Sequence, residues 1–148
     1  MHLVGNLYFL LIFGSNVEDC LGRWRFLTLI FLATLAGDAL HVMAQPHSIV
    51  ACIGASGGIS AAIAFYALKF PQARLDFLLR GWVPIPAWAA FILWLVQQGV
   101  SASLQLAGFS HVAGMAHLGG AAVGFLFWLW YRLVEKEKEP EVRAFPSA

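Results

Sequence analysis

Five apolar runs divided by short polar connections set what this chain can fold into. Four of them, near residues 26–43, 53–70, 84–104 and 112–134, approach the roughly 20 residues that a helix needs to cross a bilayer. The fifth, HLVGNLYFLLIF, has about 12 residues before Gly14, or about 18 with the turn that follows, and starts almost at Met1. The basic residues are sorted with equal clarity. All nine Lys and Arg lie in alternate connections or the tail: Arg23 and Arg25; Lys69, Arg74 and Arg80; Arg132, Lys136, Lys138 and Arg143. The connections at 44–52 and 105–111 hold none.

A soluble domain is roughly half apolar and a quarter charged; this chain of 148 residues is 60% hydrophobic and 11% charged. The expectation is an all-α polytopic membrane protein. Its net charge of +1 offers nothing to nucleic acid. Under the positive-inside rule the tail is expected to be cytoplasmic and the start of the first run to face outward; separately, a bacterial plasma membrane is the expected location. Residues 1–134 are read as one membrane domain and residues 135–148, EKEKEPEVRAFPSA, as a charged, disordered tail. No cleaved signal peptide is expected, since no basic segment precedes the first run. Cys20 and Cys52 are expected on opposite sides of the bilayer, so no disulfide is implied.

With that orientation, polar residues from three runs meet at one level near the outer side. Ser56 lies about one turn below the surface, and His117, five residues into the last run, is roughly 7–8 Å deep at about 1.5 Å per residue. His2 and Asn6, four apart, share a helix face at the outer end of the first run. Each has a plain structural reading. Ser56 can be a small packing residue, His117 can bond a backbone carbonyl, Asn6 can bridge helices, and His2 can be a solvated end. His41, His47 and His111, at run ends or in outer connections, read as solvated.

Together they read as a site, because polar groups in lipid are costly and turn toward partners. A serine hydroxyl becomes a nucleophile when a base within about 2.6–3.2 Å takes its proton. Two helices bring side chains that close only if their backbones approach. Gly54, Gly57 and Gly58 surround Ser56, and Gly120 and Gly124 follow His117, so packing and catalysis are compatible readings of the same residues. Asn6, His2 and the backbone N–H of Ser56, at the start of its helix, can donate to an oxyanion. Asp38, the one acidic residue near the outer side, belongs to another run, so Ser56 and His117 read as a dyad.

These residues resemble the rhomboid family of intramembrane serine proteases. Gly54-Ala55-Ser56-Gly57 is similar to the family's GxSG, Ala116-His117 with Gly120 and Gly124 to its AHxxGxxxG, and His2 with Asn6 to its HxxxN. FGSNVEDCLG, residues 13–22, resembles the loop after the family's HxxxN helix, with Glu18 in the familiar place. The resemblance covers Met1 to about Tyr131. It implies a rhomboid-like helical bundle with five of the usual six transmembrane helices, the first being expected to be missing. It also implies a serine endopeptidase that cleaves peptide bonds in or next to transmembrane helices of membrane-protein substrates, opening to the outer side of the bilayer. Ser60, one turn below Ser56, stands where some relatives carry tyrosine.

No metal or organic cofactor is expected: the cysteines are far apart, and no His or carboxylate cluster has metal spacing. The alternative is a catalytically inactive rhomboid-like fragment or adaptor that binds transmembrane helices, although such proteins usually lack the dyad. A channel or transporter is disfavoured, because the runs carry no mid-depth Asp or Glu, no charged ring and no inverted repeat.

Overall fold

The computed structural model describes residues 2–46, 55–75, 84–109 and 112–135. Gly54, Cys52, His47, His111, the side chain of His2 and the tail beyond residue 135 lie outside the described residues.

The first apolar run is longer than its composition suggests. Helix α1 (His2–Phe9) passes through a π-helical turn at Leu10–Gly14 into α2 (Ser15–Leu21) as one rod. The segment read as a loop after Gly14 is therefore helical, and the reason is local. Ser15 Oγ donates to Leu11 O at 3.0 Å and Asn16 Nδ2 to Ile12 O at 3.2 Å, so these polar side chains are satisfied inside the helix. Phe13, Val17 and Leu21 meanwhile bury a common face. The rod stops at Gly22, whose φ of +76° suits glycine because it has no Cβ.

Three further helices, α3 (Arg23–Ala44), α4 (Ser56–Lys69) and α5 (Ala87–Leu106), precede the last, α6 (Gly114–Val134). By length and composition, α3 and α5 can each cross a membrane. Between α4 and α5, β1 (Arg74–Leu75) pairs antiparallel with β2 (Ile85–Pro86), a two-residue addition to an otherwise helical membrane bundle.

Side-chain size along α4 grades the packing. Its first turns are Gly, Ser and Ala, and every residue from Gly57 to Ala67 is buried. Here the backbones touch. A Cβ at Gly58 would meet Ile30 O of α3 at 2.9 Å, one at Gly37 would meet Ala116 O at 2.5 Å, and those at Gly120 and Gly124 would strike the carbonyls of Gly57 and Ala61. Toward the other end large rings fill the wider space: Tyr66 meets Phe13 edge-on at 5.1 Å and Phe65 meets Tyr131 at 5.7 Å. The start of α3 reaches the end of α6, where Arg25 pairs with Glu135 and lies over Trp130. The α3/α6 and α5/α6 pairs thus run antiparallel, while α4 and α6 run parallel. The bundle is tight at the Ser56 end and broader at the other.

Candidate active site

Ser56 is the first residue of α4, and Ala55 before it has left the helical conformation. The first intrahelical bond into this start is Ile59 N–H to Ala55 O at 2.9 Å, so the Ser56 N–H belongs to the turn that helix geometry leaves without an internal acceptor. His117 lies in the first turn of α6, and its Nε2 is 3.0 Å from Ser56 Oγ. The contact follows from the backbone approach at Gly57 and Gly120: Gly57 directly follows Ser56, and Gly120 lies about one turn beyond His117.

The pair borders a cavity of about 250 Å³ lined by Asn6, Phe9, Ser60, Trp94 and Gln98 among others. Asn6 thus shares a cavity with Ser56 across the gap between α1 and α4. His2 begins α1, one turn before Asn6. Ser60 donates its hydroxyl to Ser56 O at 2.7 Å and so is held one turn down the helix. A second, apolar cleft of about 280 Å³ adjoins this cavity and shares Phe9, Ile63 and Trp94 with it.

Two residues near the site were not singled out in the sequence. Gln98 on α5 is only 6% exposed, and its Oε1 lies 2.7 Å from His117 Nδ1. An amide thus faces this ring nitrogen. Seven residues on, Gln105 is 2% exposed and ties three helices together. Its Nε2 reaches His41 Nδ1 at 2.9 Å and Gln45 Oε1 at 3.2 Å, and its Oε1 accepts from the Met115 N–H at 3.2 Å. His41, expected to be solvated, is 4% exposed, because this amide pulls it inward. The available signal was spacing: two glutamines two helical turns apart in an apolar run share a face, and polar groups in a span turn toward partners. Among the described residues no cluster of His, Cys, Asp or Glu could hold a metal ion.

The Rhomboid domain family matches residues 1–133. The chain belongs to the rhomboid family. This rhomboid is 28% identical over 150 residues to Rhomboid protein 1, mitochondrial, of Saccharomyces cerevisiae, covering 97% of the chain and 42% of that protein. It is 28% identical over 150 residues to presenilin-associated rhomboid-like protein A, mitochondrial, of Danio rerio, covering 97% and 37%. The human presenilin-associated rhomboid-like protein, mitochondrial, is 27% identical over 149 residues, covering 96% of this chain and 38% of its own. The chain thus spans about two fifths of the length of these relatives. No solved structure matches it.

These relatives correct one expectation. A bacterial plasma membrane was the expected location, but the similar proteins are mitochondrial, from yeast, animals and a plant, which points to a mitochondrial membrane. Apolar length and Lys/Arg asymmetry report that a rhomboid crosses a bilayer and with what polarity; they carry no mark of which bilayer it is.

Proposed function

We propose that this rhomboid is the core of an intramembrane serine endopeptidase, cleaving peptide bonds in or next to the transmembrane helices of membrane-protein substrates. The observation that carries the reading is the 3.0 Å approach of His117 Nε2 to Ser56 Oγ at the edge of a cavity. Ser56 Oγ attacks the scissile carbonyl carbon as His117 Nε2 takes its proton. The tetrahedral intermediate then collapses, the C–N bond breaks, and His117 returns that proton to the leaving amine. Water, deprotonated by His117, attacks the acyl-enzyme; Ser56 leaves with the proton, and the carboxylic acid product is released. The charge on the carbonyl oxygen is held by Asn6, His2 and the Ser56 backbone N–H, the last strengthened by the positive end of the α4 dipole.

The apolar cleft beside the cavity supports a membrane-embedded substrate. Phe9, Phe13, Phe91 and Trp94 offer a lipid-like lining to a hydrophobic segment, while the polar cavity next to it offers the reacting groups. The test is labelling with a fluorophosphonate, which reports an activated serine without a known substrate. Labelling is expected at Ser56, absent in Ser56→Ala and steeply reduced in His117→Ala. Undiminished labelling of the chain in Ser56→Ala would overturn the assignment. A chain that binds transmembrane helices and never labels would be an adaptor.

A further inference from the structure

We propose that Gln98 is a positioning residue of the same site, holding the His117 ring through Nδ1 while Nε2 faces Ser56. The proposal rests on the Ser56–His117 reading above and adds to it the control of the histidine. A neutral imidazole carries one N–H, and only the nitrogen without it can accept a proton. For His117 to act as base toward Ser56, Nε2 must hold the free lone pair and Nδ1 must hold the proton. A group on α5 can secure that tautomer. Gln98 Oε1, 2.7 Å from Nδ1, does so by accepting the Nδ1–H, and it fixes the ring plane that aims Nε2 at Ser56 Oγ.

The placement of Gln98 is unlike that of its neighbours. Helix α5 exposes Val96, Gln97 and Val100, while Gln98 is buried. The same face continues with Ala102, whose backbone would be struck at 2.5 Å by a Cβ on Gly114, and with Gln105, which accepts the Met115 N–H. The Gln98 face of α5 is thus docked against the first turns of α6 at three successive levels, and the level of Gln98 is that of the histidine ring. An amide in a span that only filled space would be exchangeable for leucine at no cost to the chemistry.

An amide also suits the surroundings better than a carboxylate would. It orients the ring without bringing a buried negative charge, whose desolvation would need separate compensation. The consequence is a milder base: the imidazolium formed after proton transfer is stabilised by a dipole, not by a full charge.

The experiment measures the rate at which a fluorophosphonate phosphonylates Ser56 as a function of pH, with the unfolding midpoint in detergent, for the full chain and for Gln98→Leu, Gln98→Glu and Ser56→Ala. In this step the Ser56 Oγ–P bond forms, fluoride leaves, and the hydroxyl proton passes to His117. Gln98→Leu is expected to slow phosphonylation about 10–100-fold, the size of loss seen when the group that orients a metal-binding histidine is removed. The saturating rate should fall, with probe affinity and unfolding midpoint near those of the parent. Gln98→Glu keeps an acceptor and loses every donor. It should recover most of the rate and move the acidic limb of the profile to higher pH, because its negative charge favours the imidazolium. An unchanged rate in Gln98→Leu overturns the proposal, as does a loss no larger than the fall in folded protein. A Gln98→Glu rate as low as that of Gln98→Leu overturns it too, since the amide N–H would then be the group that matters. Chain labelling that survives Ser56→Ala removes the underlying reading, whereas a dead Ser56→Ala beside a normal Gln98→Leu removes Gln98 alone.

Discussion

Gly120 of α6 rests on the backbone of Gly57 in α4, so closely that a Cβ at position 120 would collide with the Gly57 carbonyl. Ser56 precedes one of these glycines and His117 lies about one turn before the other. The 3.0 Å separation of hydroxyl and imidazole therefore depends on two missing methyl groups as much as on Ser56 and His117 themselves.

Gly120→Ala is expected to force α4 and α6 apart, because the obstructing atom is a backbone carbonyl that cannot rotate away. Overpacking of this kind costs about 1–3 kcal/mol of stability. Displacing the histidine by about 1 Å can cost about 100-fold in rate. Gly99→Ala is the control: a Cβ there meets nothing within 4 Å, and the change should be neutral or stabilising by up to about 1 kcal/mol through helix propensity. Unfolding midpoints and fluorophosphonate labelling of the two variants, side by side, check this. Equal behaviour would show that the close approach is not needed.

Asn6→Ala separates an oxyanion donor from an interhelical tie. Loss of a transition-state donor should lower kcat by about 10²–10³ with little change in KM or stability. Loss of a tie should remove about 0.6 kcal/mol and leave turnover in the folded molecules normal. Turnover of a reporter transmembrane substrate, measured with detergent unfolding, decides between them; we expect the kcat effect.

Ser60→Ala should keep fluorophosphonate labelling within a few-fold of the parent. The Ser60 hydroxyl is committed to Ser56 O at 2.7 Å, and its removal forfeits one hydrogen bond of about 1 kcal/mol. Labelling that disappears with Ser60 and survives loss of Ser56 would mean that the nucleophile lies one turn further along α4.

Gln105→Leu strands the polar edge of the buried His41 and removes the side-chain partner of the half-buried Met115 N–H and Gln45 Oε1. Each unsatisfied group costs about 1–3 kcal/mol, so the unfolding midpoint should fall clearly. His41→Leu combined with Gln105→Leu should cost less than the two single changes added together, because the double variant no longer strands one partner when the other is removed. Additive losses would show that the two side chains act separately.

The order of the apolar runs, the sorting of the basic residues and the three motifs were legible from residue types alone, because lipid imposes length and polarity on a chain before any helix meets another. The helical membrane bundle and the rhomboid family follow from that level. The loop read at residues 13–22 was misjudged because polar residues are a loop signal only when their side chains lack partners, and Ser15 and Asn16 find theirs four residues back in the helix. His41 was misjudged in the same way: its position at the end of a run says nothing about Gln105, 64 residues away, which draws it inside. Gln98 is the sharpest case. Its neighbours in the chain make it one of two adjacent glutamines in an apolar helix, with nothing to distinguish it from Gln97. Which of them is buried against His117 depends on the rotation of α5 about its axis, and that rotation is set by Gly114 admitting Ala102 one helical turn away. Contacts between helices are sums over many distant residues, and a hydrogen bond between positions 98 and 117 exists only after that packing is complete.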